Sequence, residues 1–392
     1  MDRRRPGSVA LRRLETRAAG MGILWPRLQP WLSAISCAYL DSARAPANIR
    51  PVSEVIVTGG CGYIGSHTLV ELIAAGYEPV SIDDNSRSSE SILDGVRRIT
   101  GRRVSNHRVD LRDALLTEEV FSRHSGAAAV IHFAAYKTVP ESVAKPLVYY
   151  DNNVNSLLNV LACTEKYGIP HFIFSSSCAV YGNAKELPVT EETPFGEPEC
   201  PYARTKQMGE HIIQDFAQVS NAGFVSLRYF NPVGAHPSGE IGEVPFSRPD
   251  NLVPRICWTA NGKLTELVVH GDDYDTRDGT CIRDYVHVSD IARAHVLAID
   301  YLAKSPIANR HSPITLNLGS GTGTTVLEAI RAFEQAVGRK LDYRIGPRRP
   351  GDAAAVYSDN RKAEVLLDWR PEYGLDAMMK TAWQWEQSGG RG

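Results

Sequence analysis

Tyr202 and Lys206, in Pro201-Tyr-Ala-Arg-Thr-Lys206, form the pair in this chain best suited to moving a proton. On a helix, residues i and i+4 share a face, so phenol and ammonium project together. A free tyrosine titrates near 10 and is a poor base at neutral pH. A neighbouring ammonium stabilises the phenolate, and a second cation beside it adds to the effect. Reaching neutrality takes roughly three pKa units, or about 4 kcal/mol, which two close cations in a partly buried site can supply. A run of hydroxyls, Ser175-Ser-Ser177, ends a predicted strand upstream. A serine there can bond the same reacting oxygen. The chemistry such a set performs is general acid–base catalysis at a substrate hydroxyl. Taken alone, the Tyr-x-x-x-Lys spacing equally suits a solvated helix face.

A second constellation raises the specificity. Gly59, Gly62 and Gly65 are spaced G-x-x-G-x-x-G between the β-branched run Glu54–Thr58 and a helical stretch. Glycines let backbone turn tightly and approach a pyrophosphate, while the helix N-terminus offers free N–H groups and partial positive charge. Asp83 ends the next strand, 24 residues after Gly59. It can accept from both adenosine ribose hydroxyls and repels a 2′-phosphate, which favours NAD over NADP. Arg87 runs against this, since an arginine can hold a 2′-phosphate. Asp83 also suits a strand-end turn. A nicotinamide ring would be the second cation the phenol needs.

The elements that must position these residues alternate. Strands are expected at 54–58, 79–83, 104–109, 129–133 and 171–175, and helices at 66–75, 113–124 and 147–167. Apolar runs alternating with helical periodicity predict an α/β fold, a Rossmann-type doubly wound parallel sheet. After residue 231 glycine and proline become frequent. Shorter elements at 283–288, 289–303, 314–318 and 324–337 then suggest a smaller C-terminal α/β substrate-binding lobe. The expected division is 1–53 as an extension, 54–231 as the dinucleotide domain with some chain exchange, and 232–392 as the second lobe.

The net charge of −2 hides two unlike parts. Residues 1–50 hold nine Arg and three acids, a net of +6, and the remaining 34 basic and 42 acidic residues give −8. Prolines 26, 30 and 46 break any helix in the basic head, which is expected to be disordered and without chemistry. An acidic body argues against nucleic-acid binding. No apolar run reaches the roughly 20 residues that cross a bilayer. The seven cysteines lie at least 15 residues apart, which gives no metal spacing and suits reduced thiols in the cytoplasm.

From about 54 to 388 the chain resembles the extended branch of the short-chain dehydrogenase/reductases, and within it the UDP-hexose 4-epimerases. The motifs that carry the resemblance begin with Thr58-Gly-Gly-Cys-Gly-Tyr-Ile-Gly-Ser-His67, His132-Phe-Ala-Ala-Tyr-Lys137, Tyr149-Tyr-Asp-Asn-Asn-Val-Asn155 and Phe174-Ser-Ser-Ser-Cys-Ala-Val-Tyr-Gly182. Arg228-Tyr-Phe-Asn-Pro-Val-Gly-Ala-His-Pro-Ser-Gly239, Asp278-Gly-Thr-Cys-Ile-Arg-Asp-Tyr-Val-His287 and Pro347-Arg-Arg-Pro-Gly-Asp352 follow. Residues 1–53 match nothing in the family. The resemblance implies that NAD is held by Gly59, Gly62, Tyr63, Ile64, Gly65, Asp83, Asp84, Asp110 and Leu111. Phe133, Ala134, Ala135, Lys137, Asn152, Ser175, Tyr202, Lys206 and Phe230 complete that set. Tyr202 would be the base and acid, Lys206 its electrostatic partner and Ser177 the second hydroxyl. A UDP-sugar would meet Ser177, Tyr202, Asn231, Asn251, Leu252, His270, Arg283, Arg349 and Asp352. The arginines also make sense alone, because guanidinium forks match phosphate oxygens. The implied reaction interconverts UDP-glucose and UDP-galactose through a 4-keto sugar, with no net redox and no metal. A homodimer is implied as well.

Two positions separate sibling chemistries. Dehydratases of this branch place an acidic pair where Cys178 and Ala179 stand, and decarboxylases keep a glutamate at the second position. Neither residue here is a carboxylic acid, so both activities are set aside. Pro140 and Ala203 replace usual glycines, and His270 replaces an aromatic that stacks on uracil. Val356 is small where some epimerases carry tyrosine, which leads us to expect tolerance of N-acetylated UDP-hexosamines. A pentose or uronate nucleotide sugar would use the same catalytic residues. A non-catalytic NAD-binding regulator usually lacks Tyr or Lys of the pair, and both are present.

Overall fold

The computed structural model describes residues 53–245, 248–305, 312–349 and 352–390. The basic head lies outside the described residues, and of the 1–53 extension only Ser53 is described. Six strands come first: β1 (Glu54–Thr58), β2 (Glu78–Ile82), β3 (Asn106–His107), β4 (Ala129–His132), β5 (His171–Ser177) and β6 (Gly223–Tyr229). Then follow β7 (Asn231–Val233), β8 (Leu267–His270), β9 (Ile282–His287), β10 (Ile314–Leu318), β11 (Gly323–Thr325), β12 (Tyr343–Gly346) and β13 (Ala355–Val356).

The main sheet has seven strands in the order β10-β6-β5-β4-β1-β2-β3, and every pairing is parallel. A parallel sheet is covered on both faces, so its strands read as continuous apolar runs. β1 shows why. Val55 and Val57 point into a core with Leu69, Leu72 and Ile299, while Ile56 points into another with Val130, Phe172 and Phe224. The helices Tyr63–Ala74 and Val288–Lys304 pack together on the first face. The Ala114–Arg123, Ser156–Lys166 and Pro201–Ala217 helices supply Val120, Leu157, Leu161 and Ile213 to the second. The chain order reverses between β1 and β4, which is where such sheets open a crevice for ligands.

A second sheet centres on β9, with β11 antiparallel to it and β13 and β7 parallel. Its core, with Ile256, Ile330, Phe333 and Met379, is covered by the Leu252–Ala260, Val326–Val337 and Leu375–Gln387 helices.

Four elements differ from expectation. The first helix starts at Tyr63, not 66, because extended Gly62 caps it directly; apolar periodicity begins only later and marked the start too late. The helix expected over 147–167 is broken into Pro146–Tyr150, a π-helical turn Asp151–Asn155, and Ser156–Lys166. Such turns recur at functional sites. Here the turn carries Asn153, whose amide is bonded by Tyr136 N at 2.8 Å and donates to Thr205 Oγ1 at 3.0 Å. The strand expected at 104–109 is only Asn106–His107. β10, from the stretch read as the smaller lobe, pairs with β6 in the main sheet.

Candidate active site

The switch point opens into a cavity of about 1070 Å³ that runs from the glycine turn to the second sheet. At one end Gly59 adopts φ +72°, and a Cβ there would lie 2.8 Å from Ala134 N. A Cβ on Gly65 would lie 2.2 Å from Gly59 O. Only glycine keeps β1, β4 and the helix start this close. The turn therefore leaves bare backbone and a helix N-terminus facing the cavity, a cradle suited to a pyrophosphate.

Asp83 serves two purposes. Its carboxylate accepts from Cys61 N at 3.0 Å, Asn85 N at 3.0 Å and Ser88 Oγ at 2.7 Å, tying the glycine turn to the end of β2. Oδ1 takes two of these bonds and Oδ2 one, so Oδ2 keeps a lone pair for a ligand, and Asp83 also lines the cavity. Arg87, the residue that could have favoured a 2′-phosphate, forms a two-pronged bond with Glu141 at 2.7 and 2.9 Å. Its guanidinium also stacks over Tyr136. That geometry sides with Asp83. Asp110 lines the cavity near Leu111, its carboxylate gripped by Arg112 and held below the usual range.

The Tyr202/Lys206 pair sits where β5 ends. Pro201 opens the helix, and its first turn carries Tyr202 to the cavity. Lys206 is buried, and its Nζ donates to Ser175 O at 2.6 Å while lying over the Phe174 ring. Burial lowers its pKa to about 8, with Glu210 opposing that shift. The Tyr202 phenol is pushed up by burial, and a Ser177 hydroxyl bond pulls it back only in part. The sequence reading asks for two cations beside the phenol, the lysine and a nicotinamide ring, and the protein itself supplies only the first. Lys206 Nζ lies 6.0 Å from the Tyr202 ring centre and is tied to a backbone carbonyl. Desolvation therefore wins, and activating Tyr202 requires a further cation in the cavity.

Behind the pair lies a buried network that sequence reasoning missed. Arg228 on β6 grips Glu210 with Nε at 2.9 Å and Nη2 at 2.7 Å, and Ser176 Oγ also donates to Glu210. Arg228 Nη1 reaches Tyr181 OH at 2.8 Å, and that hydroxyl donates to Asn317 at 2.6 Å. The network locks the catalytic helix to β5, β6 and β10. Removing one partner of such a buried pair typically costs about 3–5 kcal/mol.

At the far end Arg283 is pinned by Ile282 O and Ala353 O, each at 2.8 Å, and by Asp352 at 3.1 Å. Asn231 donates to Asp284 O at 3.0 Å. Asn231, Asn251, Arg283, Arg349 and Asp352 line the cavity together with Ser177 and Tyr202. All of the dinucleotide-site residues read from the sequence line it too, from Gly59 through Asp84, Ala135, Lys137 and Asn152 to Phe230. Leu252 and His270 do not. Leu252 packs on the second-sheet core, and His270 ends β8 with Nδ1 3.2 Å from Pro347 O. Burial lowers the His270 pKa, and nearby Arg349 adds to the shift. The reading also missed Glu243, which receives Lys137 Nζ at 3.1 Å across the cavity, and the lining residues Glu199, Arg248 and Tyr229. None lies in a strand–turn–helix pattern that would have marked it. Cys178 and Ala179 line the wall beside Ser177. Among the described residues no cluster of His, Cys, Asp and Glu could hold a metal ion, and no helix is long and apolar enough to cross a membrane.

A glycine cradle at the switch point and a Tyr-x-x-x-Lys helix beyond the third central strand define a dinucleotide site of the short-chain type. The chain belongs to the NAD dependent epimerase/dehydratase family, whose sequence profile matches residues 55–318. It is 46% identical over 335 residues to UDP-glucose 4-epimerase of Bacillus subtilis (strain 168), covering 85% of this chain and 97% of that one. The solved UDP-glucose 4-epimerase of Bifidobacterium longum, in complex with NAD+ and UDP, superposes with a TM-score of 0.82 at 46% identity. That match covers 87% of this chain and 100% of the other. The Stenotrophomonas maltophila UDP-glucose-4-epimerase, bound to NAD and formylated UDP-arabinopyranose, gives 0.83 at 42% identity, covering 86% and 99%.

Proposed function

We propose that this chain is an isomerase that interconverts UDP-glucose and UDP-galactose by reversible oxidation at C4, using NAD. One observation carries the reading: Tyr202 and Ser177 stand on the cavity wall between the glycine cradle and the arginine end. The cradle, Asp83 and the engaged Arg87 fit NAD. When bound, NAD supplies the place where the C4 hydride is held and from which it returns.

The chain's own residues do the rest. Tyr202 takes the proton of the sugar 4-hydroxyl and gives it back, with Ser177 bonding the same oxygen. Lys206 holds a positive charge behind the phenol and fixes the end of β5 through Ser175 O. Arg283 and Arg349 grip the diphosphate, while Asn231, Asn251 and Asp352 orient the nucleotide sugar around it. Tyr202 lines the cavity, so its proton passes to and from substrate there. Val356 lines the cavity and leaves room beside the sugar; N-acetylated UDP-hexosamines are accepted as well.

Residues 54–231 form the NAD-binding part and 232–392 the nucleotide-sugar part, with β10 exchanged into the first. The protein works as a homodimer in the cytoplasm. The six cysteines described are all free, which suits a reducing compartment. The test is direct. Purified protein is denatured and assayed for released NAD, and intact protein is given UDP-galactose. Formation of UDP-glucose supports the reading, and NAD-loaded protein that leaves UDP-galactose unchanged overturns it. Light scattering after size exclusion checks the dimer.

A further inference from the structure

Tyr229 lines the cavity at the end of β6, where it is the register partner of Ser177, yet the mechanism leaves it without a task. Its hydroxyl lies 2.7 Å from Nε2 of His295, which is fully buried on the Val288–Lys304 helix. The other ring nitrogen, Nδ1, lies 2.8 Å from Ile291 O. A carbonyl oxygen can only accept, so Nδ1 carries a proton. Burial holds the imidazole neutral, with a pKa of about 3. A neutral imidazole with its proton on Nδ1 has only a lone pair on Nε2. Tyr229 must therefore donate to His295, and its single proton is used up. Its oxygen is left with lone pairs alone, one of which takes the Ser175 hydroxyl. Phe133 packs against His295 with ring centres 4.6 Å apart and holds the imidazole in place.

We infer that His295, acting through Tyr229, fixes a hydrogen-bond acceptor in the cavity wall that receives the carboxamide N–H of the nicotinamide ring and so orients that ring. Among the described residues lining this part of the wall, Ser177 and Tyr202 can each donate and Lys206 only donates, while Ser175 has given its proton to Tyr229. A dedicated acceptor there matches an amide nitrogen. His295 is a positioning residue, since it meets the ligand only through Tyr229.

The inference rests on the NAD reading, and its test is chosen to separate the two. Purified holoenzyme is equilibrated with excess NAD+ or with 3-acetylpyridine adenine dinucleotide, in which a methyl ketone replaces the amide. The nucleotide retained by each sample is then measured after denaturation. Wild-type protein is expected to favour NAD by about tenfold, the size of one lost buried hydrogen bond. Tyr229→Phe and His295→Phe are each expected to bring that preference below about threefold. His295→Gln, whose amide can donate to Ile291 O and accept from Tyr229, should restore it. Variants that melt earlier but keep the wild-type preference would make His295 merely structural and overturn the inference. Failure of His295→Gln to restore the preference would overturn it too. Wild-type protein that retains neither nucleotide would overturn the NAD reading together with the inference.

Discussion

The two ends of the cavity are built differently. At the glycine end, function is written into backbone: Gly59, Gly62 and Gly65 sit in one short turn between adjacent elements, and Asp83 closes the next strand. Its polar groups are already tied to protein, as Asp83 is to three donors and Lys206 to Ser175 O. At the arginine end the residues come from four distant segments. There Arg283 is tied to protein, but the side chains of Arg248 and Arg349, which line the cavity, and of Arg255, which does not, have no ion pair or hydrogen bond among the described residues, and Arg255 Nε is buried without a partner. Burial lowers the Arg255 pKa, and Arg349 and Arg248 add to the shift. One end is preorganised before its ligand arrives; the other holds surplus positive charge that a diphosphate must complete. The first end should therefore fail by losing its shape, and the second by losing its charge.

Substitutions that break this contrast can be ranked. Tyr202→Phe removes the hydroxyl proposed to move the proton, and turnover should fall by about 10³-fold or more while bound NAD stays at the wild-type level. Gly59→Ala places a Cβ against Ala134 N at a φ of +72°, so purified protein should carry about tenfold less NAD or fail to fold. Absorbance of the denatured supernatant and a melting curve distinguish those outcomes. Arg349→Gln should raise KM for UDP-galactose by about ten- to fiftyfold, leave NAD content unchanged, and weaken the salt dependence of binding.

The next effect is a pH response. Lys206 titrates near 8, so its ammonium is present below that pH and lost above it. If its charge supports the phenolate, kcat falls as pH rises through about 8. A kcat that is flat from pH 7 to 9.5 in NAD-loaded protein would remove Lys206 from that role. The smallest effect concerns Val356. Val356→Tyr should abolish turnover of UDP-N-acetylgalactosamine and change kcat/KM for UDP-galactose by less than about threefold.

The same contrast explains what could be read from the sequence. The glycine turn, Asp83 and Tyr202/Lys206 were legible because local rules place them: a strand, a tight turn, a helix, and an i, i+4 pair. The parallel sheet was legible from its apolar runs. The π-helical turn at Asp151–Asn155 was not, because it is set by what Asn153 holds, Tyr136 and Thr205, rather than by periodicity. Nor was the placement of β10, because strand order depends on which face the Val288–Lys304 helix covers. Glu243, Arg248, Arg255 and Tyr229 reach the cavity or its margin from irregular segments or from behind other residues, where spacing carries no signal. His270 and Leu252 were placed by resemblance alone, and the cavity wall is made by their neighbours.

The central claim is that one chain with bound NAD interconverts the two C4 epimers without consuming a reductant or oxidant. Protein purified with its own NAD should be given UDP-galactose with no nicotinamide nucleotide added, and the products resolved over time. The account expects UDP-glucose to accumulate to a fixed ratio, reached equally from UDP-glucose, over many turnovers per bound NAD. Turnover that stops at one product per NAD, or that depends on added NAD in proportion to product formed, would contradict it.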